Sequence, residues 1–312
     1  MKLVFCGTPQ FAVPTLEKLC STHDVALVVT QPDRPQGRGL ELTASPVKQS
    51  ALRHGFSIVQ PERIKTNAEF RAQLEQIAPE VIIVVGYGRL IPPWMLQLPA
   101  YGNLNLHASL LPKYRGAAPI QWAIAEGEDL TGVTIMQLDE GLDTGDILLQ
   151  RAIPVAAEDT AVTLAPRLAA IGADLMLETL RLLEAQKITP VPQDDAQATL
   201  APILKREDGL IDFSRAARVI VNRLRGFQPW PGAYTFFRGK KLSVIAARVA
   251  ADGARLSPGE VAVHNDHLLA GCGDNSTLEL LEVQLEGKRR SAAADFARGY
   301  RIQSGERLGE AP

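Results

Sequence analysis

The chain predicts an α/β fold in which an amino-terminal parallel sheet is followed by a smaller, mainly antiparallel β unit. Three observations predict it. Apolar runs alternate with helical patterns through the first half, the signature of strands joined by crossover helices. The run Val81-Ile-Ile-Val-Val85 is unbroken, as expected of a central strand covered on both faces. Beyond residue 202 the pattern becomes short β-rich runs separated by glycine turns, which suits a small antiparallel unit. At 312 residues, 46% of them hydrophobic, the chain is long for one compact unit, and two domains are expected.

Taken in order, residues 3–6 and 25–30 are strand candidates flanking a helical pattern near 11–20. Strands near 57–60 and 81–87 follow, with helices near 46–54 and 67–77 between them. Gly86-Tyr87-Gly88 ends the central run in a turn where backbone can approach a ligand. In open α/β sheets ligands bind beyond the carboxyl ends of strands, and Gly7, Gly86 and the pair Asn105 and His107 all fall at such ends. The first strand leads into Gly7-Thr8-Pro9-Gln10 rather than a G-x-G-x-x-G fingerprint, which disfavours a dinucleotide cofactor. Further strands are expected at 133–139 and 147–155, and a long amphipathic helix at 160–185. Residues 188–202 hold three prolines and two adjacent aspartates and read as a linker. After it come a helix with a basic face at 214–225, strands at 233–237, 241–249, 260–263, 267–270 and 277–284, and a short helix near 292–299.

Composition narrows the function classes. No apolar run approaches the ~20 residues of a membrane span and no signal segment is visible, so a cytoplasmic protein is the expectation. The three cysteines, Cys6, Cys20 and Cys272, are scattered, which fits a reducing compartment. Of the five histidines only His264 and His267 are close together, in a turn-like stretch without further ligands at suitable spacing, and no metal is expected. The net charge of −2 hides an asymmetry: residues 1–203 hold 16 Lys and Arg against 22 Asp and Glu, residues 204–312 hold 17 against 13. A basic appendage on an acidic body is consistent with a polyanionic partner.

The most informative segment is Asn105-Leu-His107-Ala-Ser109-Leu110-Leu111-Pro112. An extended chain points alternate side chains the same way, so Asn105 and His107 face one spot while Leu104 and Leu106 turn to the core. Downstream, Asp139-Glu140-Gly141-Leu-Asp143-Thr-Gly145-Asp146 is a glycine-broken acidic loop able to bring a carboxylate to that imidazole. Amide, imidazole and carboxylate together suit acyl transfer to an amine: the amide N–H holds a developing oxyanion, the imidazole moves a proton, and the carboxylate sets the imidazole's charge and tautomer.

The words around this segment are long and ordered. His107 to Gly116, Ala-Ala-Pro119-Ile-Gln-Trp122, Gly132-Val-Thr-Ile-Met136 and Gly141-Leu-Asp143-Thr-Gly145-Asp146 strongly resemble the methionyl-tRNA formyltransferase family. So do Phe5-Cys-Gly7-Thr-Pro9, Thr30-Gln-Pro-Asp33-Arg34, Gly37-Arg38-Gly39 and Glu207-Asp-Gly-Leu-Ile-Asp212, so the likeness spans both halves. The resemblance implies a Rossmann-like formyltransferase domain at 1–187, a linker at 188–206 and an OB-like β-barrel that binds tRNA at 207–312. It implies transfer of the formyl group of 10-formyltetrahydrofolate to the α-amine of methionyl initiator tRNA, with Asn105, His107 and Asp143 catalytic. It places the folate against Gly86, Tyr87, Gly88, Arg89 and Leu90, against Ser109, Leu110, Leu111 and Pro112, and against Asp139, Glu140 and Gly141. For tRNA it implies the long loop carrying Arg34 and Arg38, with Lys205, Arg206, Arg223, Lys288, Arg289 and Arg290 as candidate phosphate contacts; a tRNA spanning both domains makes a monomer the expectation. Leu40, Glu41 and Ile203 stand where relatives are often lysine, so these stretches are less cationic.

Three other readings share some of these features. A folate-dependent formyltransferase acting on a glycinamide nucleotide or an amino sugar would use the same amide, imidazole and carboxylate. A formyltetrahydrofolate hydrolase would replace the amine with water, and a noncatalytic RNA-binding module would use the α/β half as scaffold.

Overall fold

The structure is a computed structural model in which residues 1–36, 41–251 and 255–309 are described. β1 (Lys2–Gly7) is buried from Leu3 onward and leads to α1 (Val13–Cys20), which takes Pro14 in its first turn, where a missing N–H costs nothing. β2 (Asp24–Val29) follows. The stretch expected to be one long loop contains a small antiparallel hairpin of β3 (Arg34–Gln36) and β4 (Glu41–Thr43). α2 (Pro46–Arg53) starts at Ser45, whose hydroxyl accepts the Lys48 N–H at 3.1 Å. After β5 (Ile58–Val59), α3 (Ala68–Ile77) is capped by Asn67, which accepts the Phe70 N–H at 2.9 Å, and stops at Ala78, whose φ is +48°. β6 (Val81–Val85), α4 (Pro93–Leu96), β7 (Asn103–His107), α5 (Pro119–Ala125), β8 (Leu130–Gln137), β9 (Ile147–Pro154) and α6 (Ala161–Glu184) complete this part.

The seven strands are ordered β5-β2-β1-β6-β7-β8-β9. The expected parallel arrangement holds from β5 to β7, whereas β8 runs antiparallel to β7 and β9 antiparallel to β8. Only residues 138–146 join β8 to β9, too few for the crossover that a parallel pair needs, of roughly a dozen residues or more. The longer 108–129 connection leaves both directions open by length alone. On one face of the sheet, Val4, Cys6, Leu27, Ile82 and Val84 pack with Phe70, Leu74 and Met95. Leu74 is fully buried there, so Leu74→Ala is expected to cost about 2–5 kcal/mol, read from the midpoint shift in a denaturant titration.

Chain contacts divide the molecule into two compact units: Met1–Pro119, Leu130–Pro154 and Ala165–Pro202 form one, and Ile120–Asp129, Val155–Leu164 and Ile203–Pro312 the other. Residues 188–202, expected as a linker, hydrogen-bond into the first unit. Val191 and Ile147 exchange two backbone bonds of 2.8 and 2.9 Å, and Arg115 does the same with Thr199 and Ala201 at 2.8 and 2.7 Å. Prolines and aspartates suppress regular periodicity, so a strap bound by its backbone looks like a linker in sequence.

The second unit contains α7 (Ala217–Gly226), β10 (Ala233–Phe237), β11 (Lys240–Val249), β12 (Val261–His264), β13 (His267–Gly271), β14 (Thr277–Leu285), β15 (Ser291–Ala292) and α8 (Ala293–Tyr300). Its sheet is antiparallel, ordered β10-β11-β14-β13-β12, with β15 on β14. At its two outer strands, the tail segment 306–309 bonds to both sides: the Glu306 carbonyl accepts the Val261 N–H of β12 at 2.8 Å, and the Gly309 N–H donates to the Phe236 carbonyl of β10 at 3.0 Å. Phe237 and Phe296 meet edge-on at 5.2 Å in the core beneath. Trp122 of α5 stands edge-on to Phe227 at 5.3 Å. Among the described residues no helix is long and apolar enough to cross a membrane, and Cys6, Cys20 and Cys272 are free thiols.

Candidate active site

Asn105 and His107 lie on β7, one strand beyond β6, with Leu104 and Leu106 buried on the opposite side as alternation requires. Both polar residues are themselves largely enclosed, 9% and 5% exposed. The backbone of Asn105 pairs with Val84 and Met136, which fixes where its carboxamide emerges. His107 is oriented by its Nε2, which donates to the Tyr114 carbonyl at 2.9 Å. That bond leaves Nδ1 turned toward Asp143, with Oδ2 at 3.7 Å.

Asp143 comes from the loop after β8. That strand ends beside Leu104, yet the loop doubles back far enough for its carboxylate to accept the Gly116 N–H at 2.8 Å. Its φ of +54° is left-handed, a region that aspartate tolerates better than most side chains. Gly145 packs so closely under Gln137 that a Cβ would sit 1.7 Å from the Gln137 carbonyl oxygen, which makes glycine obligatory there. The structure thus brings His107 and Asp143 within 3.7 Å of each other, with Asn105 two residues before His107 on the same strand.

The neighbouring loops have a second set of anchors. Thr134 of β8 donates to the Ser109 carbonyl at 2.7 Å and accepts the Leu111 N–H at 3.1 Å, while Gln150 of β9 donates to the Leu111 carbonyl at 2.8 Å. Ser109 and Leu111 are buried, so their side chains shape the loop, and Leu110 is partly exposed. Gly86 and Gly88 have positive φ, and a Cβ on Gly86 would lie 2.9 Å from Pro9, so the ends of β1 and β6 do converge beside β7.

Several sequence candidates also make contacts of their own within the chain. The Tyr87 ring is 1% exposed within the apolar face cluster, and its carbonyl accepts from Thr8 at 3.2 Å and Gln31 at 2.8 Å, so this residue anchors the turn. Burial pushes its phenol above the ordinary tyrosine range. Asp139 holds its own loop, accepting from the Gly141 N–H at 3.0 Å and the Thr144 hydroxyl at 2.8 Å, while Glu140 is exposed. Arg89 donates to the Glu62 carbonyl, and Leu90 is 75% exposed. Arg223 lies over the Phe227 and Trp122 rings at 4.8 and 5.6 Å and donates to the Asp208 carbonyl at 3.2 Å, a packed role rather than that of a projecting cation. Burial lowers its pKa. Lys205, Arg206, Lys288, Arg289 and Arg290 are exposed, as is Arg34, which donates to Gln31 at 3.2 Å. Arg38, with Leu40, lies outside the described residues.

Sequence reasoning missed Thr134, Gln150, Thr199 and Gln193. Each acts through a hydrogen bond to a residue distant in the chain, and a single polar side chain on a strand or irregular segment carries no local signal of that. Among the described residues no group of three or more His, Cys, Asp or Glu side chains is placed to hold a metal ion.

Comparison with known proteins places the chain among formyl transferases. The formyl transferase family matches residues 1–180, and the formyl transferase C-terminal domain family residues 203–301. Relatives named methionyl-tRNA formyltransferase include those of Koribacter versatilis, 62% identical over 99% of this chain and 99% of its own length, and Geobacter sulfurreducens, 47% identical over 100% and 98%. A solved N-formyltransferase from Helicobacter canadensis in complex with folinic acid and dTDP-3-aminofucose shares the fold at a TM-score of 0.67 and 18% identity, covering 90% of this chain and 98% of that one. Phosphoribosylglycinamide formyltransferase from Bacillus halodurans matches 60% of this chain and 96% of its own, with a TM-score of 0.50 and 26% identity.

Proposed function

Because the chain belongs to the methionyl-tRNA formyltransferase family, we propose that it transfers the formyl group of 10-formyltetrahydrofolate to the α-amine of methionyl initiator tRNA. The observation that carries the reading is the approach of Asp143 to His107, with Asn105 on the same strand as the histidine, in a chain that matches the named relatives along its whole length. In this reading the amine attacks the formyl carbon and a tetrahedral oxyanion develops. The Asn105 amide donates to that oxygen. His107, backed by Asp143, takes the proton lost by the amine and stabilises the developing charge, and the folate nitrogen leaves as a proton is returned to it.

The folate lies, in this proposal, against the turn at Gly86, Gly88, Arg89 and Leu90, the Ser109–Pro112 loop and the Asp139–Gly141 segment. The Gly86–Gly88 turn, with both glycines at positive φ, suits a flat, amide-like pterin because its loop backbone supplies donors and acceptors. A Cβ on Gly88 would lie 2.6 Å from Gln31 Nε2, the donor that secures the turn. Gly88→Ala is therefore expected to strain the turn by about 1 kcal/mol and weaken donor binding by about fivefold, with kcat less affected. Steady-state titration of the folate at saturating tRNA checks it.

Residues 1–187 are read as the catalytic domain, 188–206 as a connecting segment and 207–312 as an OB-like barrel that binds tRNA. The bonds made by the 306–309 tail to both outer strands favour closure of that sheet. Exposed Arg34, Lys205, Arg206, Lys288, Arg289 and Arg290 are the proposed phosphate contacts, on a protein that acts as a monomer. The test is transfer of labelled formyl to methionyl initiator tRNA, with methionyl elongator tRNA and glycinamide ribonucleotide as parallel acceptors. Label confined to initiator tRNA supports the reading, label on the nucleotide replaces it with the related small-molecule activity, and formate release alone replaces it with hydrolysis.

A further inference from the structure

The strap at 188–202 grips both halves of the catalytic pair. Gln193 within it has its carboxamide fully engaged: Nε2 donates to the carbonyls of Asp143 at 2.9 Å and Gly145 at 2.7 Å. Its Oε1 accepts from Arg115 Nε at 3.0 Å and Nη2 at 2.8 Å. The Arg115 residue is 7% exposed and its Nη2 also pairs with Asp195 at 2.7 Å. Farther along the strap, the Thr199 hydroxyl accepts the Tyr114 N–H at 2.8 Å, and Tyr114 is the residue whose carbonyl orients His107. One segment, distant in sequence from both, therefore holds the backbone that aims the imidazole and the backbone that carries the carboxylate.

We infer that Gln193, backed by Arg115, is a positioning residue for the transfer, acting through Asp143. The inference rests on the proposed formyl-transfer reading of the site. Asp143 needs the help for two reasons. Its left-handed backbone costs on the order of 1 kcal/mol, so a loop left to itself relaxes toward negative φ. Its carboxylate also sits 3.7 Å from the imidazole, a separation that a small backbone rotation would lengthen. Two donors bonded to carbonyls two residues apart fix the turn between them. The rigid guanidinium fork fixes the plane of the carboxamide and, by drawing charge to Oε1, strengthens its N–H donors. A misplacement of roughly 1 Å at such a site costs about 100-fold in rate.

The test uses the full chain. Gln193→Met keeps length and bulk but removes both donors; its kcat is expected to fall by about 10- to 100-fold, with KM for both substrates within about threefold of wild type. Gln193→Glu retains the Arg115 partner and, when ionised, donates nothing, so its defect should shrink toward acidic pH as the carboxyl gains a proton, whereas that of Gln193→Met should not. In an Asp143→Ala background Gln193→Met should cost little more. Hydrogen exchange of the Gly116 amide, which needs no substrate, should speed up in Gln193→Met because that amide bonds the Asp143 carboxylate. Losses that multiply in the double variant, or Gly116 exchange equal to wild type, overturn the inference. An inactive wild-type chain refutes the formyl-transfer reading, and Gly116 exchange then decides the positioning role by itself.

Discussion

Asp143→Ala is expected to lower the rate of formyl transfer by about 10²- to 10⁴-fold while leaving the chain folded. The carboxylate faces His107 Nδ1 at 3.7 Å and accepts the Gly116 N–H, so its removal takes away both the partner beside the imidazole and the acceptor of that backbone bond. The loop itself keeps its other restraints, the bonds from Gln193 and the close seat of Gly145. Alanine also tolerates the left-handed φ less well than aspartate, at a cost of about 1 kcal/mol. Asp143→Asn separates the two effects, since asparagine accepts that backbone and keeps an oxygen for Gly116 but carries no charge. Both variants are expected to be slow, with thermal midpoints close to wild type for Asn and slightly lower for Ala. Retention of more than about a tenth of wild-type kcat by either would remove Asp143 from the mechanism, because general acid–base assistance is worth far more than that.

Asn105→Ala is expected to reduce kcat by about 10²- to 10³-fold, the usual consequence of losing one oxyanion donor. The side chain is 9% exposed and makes no hydrogen bond to another described residue, so truncating it strands no partner inside the protein. Strand β7 remains held by its pairing with β6 and β8 and by Leu104 and Leu106. An interaction made chiefly in the transition state should change kcat and leave KM for both substrates nearly constant. Single-turnover measurement of formyl transfer isolates that step. A variant with raised KM and normal kcat would assign Asn105 to ground-state binding instead and leave the oxyanion without its proposed donor.

The amino-acid sequence by itself determined the parts of this protein that depend on near neighbours. Alternation along five residues placed Asn105 and His107 on one side and Leu104 and Leu106 on the other. The unbroken run at Val81–Val85 marked a strand buried on both faces, and the glycines after it marked a turn, in which both take positive φ. Ordered motifs in both halves named the family before any coordinates were needed. Tertiary structure alone decided what depends on distant partners. It reversed β8 alone, within a sheet whose other strands, β9 included, run in one direction, and it folded the loop after β8 back so that Asp143 meets a histidine on another strand. It buried the ring of Tyr87 and packed Arg223 on aromatic rings. It also laid the 188–202 segment down as a strap bonded to the backbone at Asp143 and Tyr114. The physical reason is common to all of these. Backbone propensity and side-chain alternation act over a few residues, whereas strand direction, loop return and the hydrogen-bond partner of a single glutamine are settled by contacts between segments that the chain brings together only on folding.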